Sequence, residues 1–549
     1  MTKERLYLFD TTLRDGAQTQ GVDFSVEDKR LIAGLLDRLG IDYVEGGYPG
    51  ANPTDTNFFA EDPGLKRATF TAFGMTKRAG RSADNDPGLA AIFDSTAKAC
   101  CFVAKSWDFQ VDVALGITKE ENIDSIADTV ATSVRRGRET MIDAEHFFDG
   151  YKANPEFALA CLKAAIDNGA RWVVLCDTNG GTLPHEIERI VGEVMKHVPG
   201  EKLGIHTHND TENAVANSLA AIRAGVRQVQ GTLNGLGERC GNANMVSLIP
   251  TLLLKPEFAD RFEIGVSLDQ LKEITHVSRT LDEILNRAPH RYAPYVGESA
   301  FASKAGIHVS ALLKDPTTYE HVPPESVGNK RRILVSDQSG RSNVLAQLEA
   351  AGIDVDAKDP RVQQLLDEVK EREYLGYSYD GAEASFELLA RRALGTVPDY
   401  FNVESFRVLV ERRYNALGKR VTVAEATVKL EIDGKTFLSA GEGNGPVNAL
   451  AQALTKDLGR YQSYVDDLTL VDFKVRILTG GTEAVTRVLI ETADRKTSER
   501  WFTVGVSENI VDAAFQAFLD SITYKLMRDG APAPEVKRKP TLKAPASSS

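Results

Sequence analysis

The sequence predicts an α/β protein: a (β/α)₈ barrel, then helical linker subdomains, then a C-terminal α+β domain. Three observations carry this. Eight short apolar or β-branched runs alternate with amphipathic stretches over roughly the first 250 residues, the number and span of a (β/α)₈ (TIM) barrel. Polar residues gather at the C-terminal ends of those runs, where such barrels keep their chemistry. Beyond about residue 420 the text changes to strand, hairpin, strand and helix, twice over. At 549 residues the chain is also too long for one ordinary core.

In order, the strand candidates are Leu6–Thr12, Tyr43–Pro49, Ala68–Gly74, Ala99–Ser106, Thr140–Phe148, Trp172–Thr178, Leu203–Asp210 and Gln228–Gly237. Between them, stretches such as SVEDKRLIAGLLDRLG and NPEFALACLKAAIDNG place apolar residues at i, i+3 and i+4 and end in Gly, as a helix C-cap does. A doubly wound sheet would carry fewer strands and an early G-x-G-x-x-G or Walker loop, and neither is present. The barrel is assigned to residues 1–266 and the charged, Pro-broken helical text to 267–400. In 405–530, TVKLEIDGKTFLSAGEGNGPVNALAQAL and TRVLIETADRKTSERWFTVGVSENIVDAAFQAFLDS read as two ββα units, the first turning on Asp-Gly. The Pro/Ala/Ser/Lys-rich end, 531–549, is expected to be disordered.

Composition narrows the function. Sixty-five basic against 78 acidic residues give a net charge of −13, which repels phosphate backbones, so no nucleic-acid partner is expected. No apolar run approaches the ~20 residues of a membrane span, and the N-terminus lacks a signal-peptide core. A cytoplasmic protein without membrane association is expected. The five cysteines, Cys100, Cys101, Cys161, Cys176 and Cys240, have no C-x-x-C spacing and read as buried reduced thiols.

The chemistry centres on GIHTHND, Gly204–Asp210. In a strand, residues i and i+2 share a face, so His206 and His208 point into the barrel mouth and Thr207 points away. Two imidazoles and a carboxylate make a divalent-metal site with open positions. Asp15, just after strand one, is the natural third ligand, and Asn242, after strand eight, adds an amide oxygen. Two hydrogen-bonded histidines in a polar pocket are the alternative. Arg14, Glu45, Glu145, Asp177, Thr178 and Glu238 fall at the same strand ends.

Three motifs, FDTTLRDGAQ (Phe9–Gln18), HTHND (His206–Asp210) and GERCGNANM (Gly237–Met245), together resemble the metal-dependent acyl-CoA condensing barrels. These are the 2-isopropylmalate, homocitrate and citramalate synthases, with the 3-hydroxy-3-methylglutaryl-CoA lyases as cousins. GGYPGANPTDTNFF and DAEHFFDGY look most like the citramalate synthase branch, and GEGNGPVNAL resembles the signature of the family's C-terminal allosteric domain. The resemblance implies metal ligation by Asp15, His206, His208 and Asn242, with Mg²⁺ or Mn²⁺ expected and Zn²⁺ or Co²⁺ as alternatives. It gives Arg14 to the substrate oxygen, Thr178 to the 2-oxo acid carboxylate and Glu145 to catalysis. KAGIHVSALLKDPTTY resembles the subdomain segment that supplies a catalytic His and Tyr, here His308 and Tyr319; on this reading 267–400 completes the active site.

The implied enzyme is an acyltransferase that turns an acyl into an alkyl group on transfer. It condenses acetyl-CoA with pyruvate and hydrolyses the thioester, giving citramalate for isoleucine synthesis. A 2-isopropylmalate synthase using 2-oxoisovalerate is the runner-up, and an acyl-CoA lyase comes after it. The bulk of Phe73 and Phe102 near the mouth would favour the small methyl of pyruvate, although barrel core is an equally good reading of both. A homodimer or larger homo-oligomer with isoleucine as effector is expected from the C-terminal domain. Cys240 stands where many relatives carry a small residue and reads as packing.

Overall fold

The computed structural model describes residues 3–336, 339–414, 416–479 and 484–535. The chain forms two compact units, one of residues 1–301 with 320–331 and one of 302–319 with the chain from 332 onward. The first unit therefore runs past residue 266. Its extension includes the helix Ile274–Ile284, whose Val277 and Leu281 join the hydrophobic core outside the barrel.

That unit is a closed parallel barrel of eight strands in sequence order. They are β1 (Tyr7–Asp10), β2 (Tyr43–Gly47), β3 (Thr69–Met75), β4 (Ala99–Lys105), β5 (Glu139–Glu145), β6 (Trp172–Asp177), β7 (Leu203–Thr207) and β8 (Gln228–Gly231). Pairing of Tyr7 with Gln228 and Asp10 with Gly231 closes the ring. The expected strands overshoot where chemistry begins: β8 stops at Gly231 and Leu233–Gly235 forms a 3₁₀ turn.

Strand alternation sorts the side chains. Phe9, Tyr43, Cys101, Met141, Trp172 and Val174 pack inside the barrel. Leu8, Val44, Phe70, Phe102, Ile142, Leu175 and Ile205 face outward against the helices. Each such buried side chain contributes about 1.5–3 kcal/mol. The helix Val26–Leu39 shows how the sequence sets one layer. A Ser25–Asp28 capping box starts it, and Ile32, Leu36 and Leu39 bury its inner face. Gly40 ends it at φ 99°, where an added Cβ would lie 2.5 Å from the Gly265 carbonyl oxygen, so only glycine fits.

The second unit carries two three-stranded antiparallel sheets, each followed by a helix. β9 (Asn402–Tyr414), β10 (Arg420–Ile432) and β11 (Lys435–Gly443) precede the helix Pro446–Lys456. β12 (Leu468–Ile477), β13 (Thr486–Asp494) and β14 (Arg500–Ser507) precede the helix Ile510–Arg528. The repeat is thus βββα, one strand longer than the ββα unit expected. β9 and β12 are edge strands with much of both faces exposed, so they lack the clean alternation that marks a half-buried strand. The Asp433–Gly434 turn is present, with φ of 50° and 74°, the left-handed pair that a two-residue hairpin needs. Helices fill 267–400 in both units, and among the described residues no helix is long and apolar enough to cross a membrane. Residues 536–549 of the expected tail lie outside the described residues.

Candidate active site

The turn after β1 places the first functional groups. The backbone N–H groups of Arg14, Asp15 and Gly16 all donate to the Thr11 carbonyl, at 3.2, 2.8 and 3.1 Å, which coils the chain over the barrel mouth. Asp10 anchors this coil, accepting from the Thr12 N–H at 2.9 Å and the Thr12 hydroxyl at 3.0 Å. The Thr12 hydroxyl in turn accepts from the Leu233 N–H at 2.9 Å, tying together the loops after β1 and β8. Burial without a cationic partner pushes the Asp10 carboxyl up to about 7.

His206 and His208 both turn inward, while Thr207 donates to the Ala214 carbonyl behind the sheet at 2.9 Å. The two Nε2 atoms are 3.3 Å apart, and His206 Nε2 is 3.2 Å from Asp15 Oδ2. A backbone bridge between His208 and Asn242 brings the fourth residue in. Asn242 donates to the Leu236 carbonyl at 3.0 Å, and its Oδ1 is buried with no hydrogen-bond partner. Adjacent ligands at about 2.0–2.2 Å from one ion lie roughly 3 Å apart, so the donor spacing suits a single divalent cation.

The surroundings prepare these donors. Gln230 Oε1 lies 2.8 Å from His206 Nδ1, so Nδ1 donates to it and Nε2 is the nitrogen a metal would take. Burial opposes a charge on this imidazole, but Asp15 overcomes it and raises His206, so that Nε2 carries a proton toward Asp15 until a metal displaces it. Burial, reinforced by the charge on His206, pushes His208 down to about 3, leaving it a neutral ligand. Burial opposes ionisation of Asp15, but Arg14 and His206 overcome it and hold the carboxyl well below the usual range. The set of two imidazoles, a carboxylate and an orphaned amide oxygen fits a divalent metal.

A second tier, partly unforeseen in the sequence, supports the first. Arg14 donates from Nε to Glu45 at 2.8 Å, lies 3.5 Å from Asp15 and sits 4.0 Å over the Phe73 ring. Glu45 is fully buried and also accepts from Thr11 at 2.5 Å. Burial first, with the Asp143 charge adding, raises its carboxyl against the opposing pull of Arg14. Glu45, Cys101 and Asp143 form a buried group inside the barrel, and Gln230 donates to Asp143 at 3.0 Å. The inward i, i+2 relation of Asp143 to Glu145 was the available signal for this tier. Lys105, directly across from Glu145 in the β4–β5 register, makes an ion pair with it. The Thr178 hydroxyl accepts from the His146 N–H at 2.8 Å, and the Thr178 carbonyl accepts from Arg239 at 2.7 Å.

Three expectations need correction or restriction. Phe102 does not line the mouth. It alternates with inward Cys101, faces the helices, and meets Phe93 at 6.3 Å between ring centroids. Cys240 is exposed rather than packed, while the other four cysteines are buried; burial pushes Cys100 up to about 11 and Cys161 up to about 12. His308 and Tyr319 come together with ring centroids 4.4 Å apart, but on an exposed face of the second unit. Phe73 lies against Arg14 and Tyr48 at the mouth.

Residues 5–278 match the family model described as HMGL-like, 295–374 the homocitrate synthase post-HMGL domain-like model, and 380–526 the LeuA allosteric (dimerisation) domain. The chain is 49% identical over 530 residues to an (R)-citramalate synthase of Aquifex aeolicus, covering 96% of this chain and 98% of that one. It is 50% identical over 523 residues to an (R)-citramalate synthase of Geobacter sulfurreducens, covering 94% and 97%. A third (R)-citramalate synthase, from Synechocystis, is 47% identical over 536 residues, covering 95% and 96%.

Proposed function

Because the chain belongs to the (R)-citramalate synthase family, we propose that its barrel mouth joins the methyl carbon of acetyl-CoA to the ketone carbon of pyruvate and then hydrolyses the thioester. The products are (R)-citramalate and CoA. The choice of pyruvate rests on those relatives. In the geometry, the reading is carried by the convergence of Asp15, His206, His208 and the orphaned Asn242 Oδ1 beside the Arg14 guanidinium.

Asp15, His206, His208 and Asn242 would hold a divalent metal, Mg²⁺ or Mn²⁺ with Zn²⁺ or Co²⁺ as alternatives, supplying a Lewis acid for the carboxylate and ketone oxygens of the oxo acid. Arg14 keeps a fixed positive charge where the ketone oxygen becomes an alkoxide. Its Nε is committed to Glu45, so the remaining N–H groups serve the substrate. Thr178 accepts from the His146 N–H, which leaves its own proton for the pyruvate carboxylate. Glu145, held against Lys105, takes the proton of the acetyl methyl. His308 and Tyr319 enter as candidates for proton transfer on the family resemblance alone. Phe73, stacked on Arg14, limits the room beside the ketone.

The C-terminal domain pairs with a second copy of the chain and binds isoleucine as a feedback ligand. Supporting this, a cavity of about 410 Å³ lies among Val447, Ala451, Leu470, Phe473 and Phe518, and Arg495 in its lining would suit a carboxylate. The test is thiol release from acetyl-CoA with pyruvate, 2-oxoisovalerate or 2-oxoglutarate, with and without a chelator. Chelator-sensitive release chiefly with pyruvate is expected. Release chiefly with 2-oxoisovalerate would replace the reading by 2-isopropylmalate synthesis, and no release with any acid would overturn it. Isoleucine titrated into the same assay should inhibit; no inhibition at millimolar concentration rejects it as the effector.

A further inference from the structure

The residue after Glu145 is strained. His146 stands at φ 54°, ψ 33°, the left-handed region that side chains with a Cβ avoid and that clusters at functional sites. Several contacts hold it there. Its N–H donates to the Thr178 hydroxyl at 2.8 Å, and its ring lies against Trp107, with centroids 5.8 Å apart. Its Nδ1 is buried without a hydrogen bond of ordinary geometry, yet only 3.5 Å from Asp149 Oδ2. Asp149 accepts from Asn179 at 2.9 Å, with Lys152 4.0 Å away. The Asp149 carboxyl is held below its ordinary range, chiefly by His146. The imidazole is 13% exposed, and its buried nitrogen is Nδ1. Nδ1 thus faces a carboxylate, which leaves Nε2 as the nitrogen open to a reactant, the arrangement by which an acid–base histidine is oriented. Catalytic hydrogen bonds are often this long before substrate binds.

The proposed reaction has two proton abstractions, one from the acetyl methyl and one from water. Glu145, paired with Lys105, serves the first. We infer that the His146–Asp149 pair serves the second, an inference that rests on the condensation reading above. His146 Nε2 takes a proton from water as the water oxygen bonds to the thioester carbonyl carbon. The tetrahedral intermediate collapses, the C–S bond breaks with its electrons on sulfur, and the imidazolium returns the proton to the CoA thiolate. Asp149 is a positioning residue that fixes Nδ1–H and so leaves Nε2 basic.

The decisive variant is His146→Asn, since asparagine tolerates the left-handed conformation and keeps the turn. Full-length, metal-supplemented protein is mixed with labelled acetyl-CoA and pyruvate, acid-quenched, and citramalyl-CoA is separated from citramalate. Expected are near-normal formation of citramalyl-CoA and hydrolysis slowed on the order of 10²–10³-fold, so that the thioester accumulates. Asp149→Asn should show the same accumulation in milder form, with both KM values unchanged. CoA release by His146→Asn at the wild-type rate, or loss of both steps with no accumulation, overturns the assignment. Failure of the wild type to form citramalate from these substrates overturns the condensation reading instead.

Discussion

Replacing Arg14 with Ala should damage the protein in two separable ways. The guanidinium is 13% exposed and balances Glu45 and Asp15, whose side chains are 0% and 4% exposed. Removing one partner of a buried pair costs about 3–5 kcal/mol, because the other charge stays buried. That is a large share of the ~5–15 kcal/mol stability of a typical domain. The penalty has a pH signature. Burial already raises Glu45 above its ordinary 4.5, and loss of Arg14 raises it further. A carboxyl raised in the folded state weakens the fold as pH rises past its unfolded value, so Arg14→Ala should be less damaged at about pH 5 than at about pH 8. Catalysis should fall independently, by on the order of 10²–10³ for a lost donor at the developing alkoxide. Adding Glu45→Gln removes the stranded charge and should return most of the lost stability without returning turnover. The assays are urea denaturation and steady-state CoA release, both at saturating metal. A double variant that recovers stability and also turns over near the wild-type rate would refute the catalytic role. A single variant as stable as wild type at both pH values would refute the charge-balance argument.

Mn²⁺ added to chelator-treated protein should raise its Tm, with stabilisation of ~2.7 kcal/mol at 100 times Kd, and Asn242→Ala should need more metal for the same rise; an unchanged half-saturation point removes Asn242 from the ligand set. Phe73→Ala should raise kcat/KM for 2-oxoisovalerate relative to pyruvate by about 10-fold or more, whereas Phe102→Ala should leave that ratio alone and cost about 3–5 kcal/mol of stability. Asp10, pushed from 3.8 to about 7, keeps in the folded state a proton that the unfolded chain loses between these values, so it erodes stability as pH rises from about 4 to about 7. Asp10→Asn should lack that slope, and parallel urea midpoints for wild type and variant across the window would contradict it.

What the sequence made legible is what depends on local periodicity. His206 and His208 share a face because they are two apart in a strand, Asn242 follows the neighbouring strand β8, and Asp15 follows β1 one strand further round, so their meeting at one mouth could be read from spacing. Lateral contacts were not legible. That Lys105 meets Glu145, or that Gln230 meets both His206 and Asp143, depends on how far each strand is slid against the next, which no single strand encodes. Phe102 was placed wrongly because an all-apolar run such as ACCFVA gives no phase: either alternate set could face inward. β9 and β12 were missed because edge strands with exposed faces carry charges such as Glu411, Arg412 and Arg413 where a buried strand would not. Cys240 is exposed because the turn that holds it bends through left-handed Arg239 and Gly241, with φ of 55° and 87°, a geometry set by closure of the loop onto His208.

Tiers of buried polar groups fill the barrel from its N-terminal pole to its mouth. Toward the N-terminal pole, Trp172 donates to the Tyr43 hydroxyl at 3.2 Å and Tyr43 donates to Glu139 at 2.6 Å, among apolar neighbours. The middle tier holds Glu45 and Asp143 with Arg14 and Gln230 as their donors. Gln230 joins this tier to the top one, because the amide that donates to Asp143 is the same amide that accepts from His206 Nδ1–H. The tautomer that presents His206 Nε2 is thereby fixed from below. At the top, Asn242 Oδ1 is buried without a partner, an arrangement that costs about 1–3 kcal/mol when nothing offsets it. A divalent cation held by Asp15, His206, His208 and Asn242 would remove this cost by giving the amide oxygen a partner. The middle tier, through Gln230, holds the donors of the mouth in place, and the set so held is one that a divalent metal would fit.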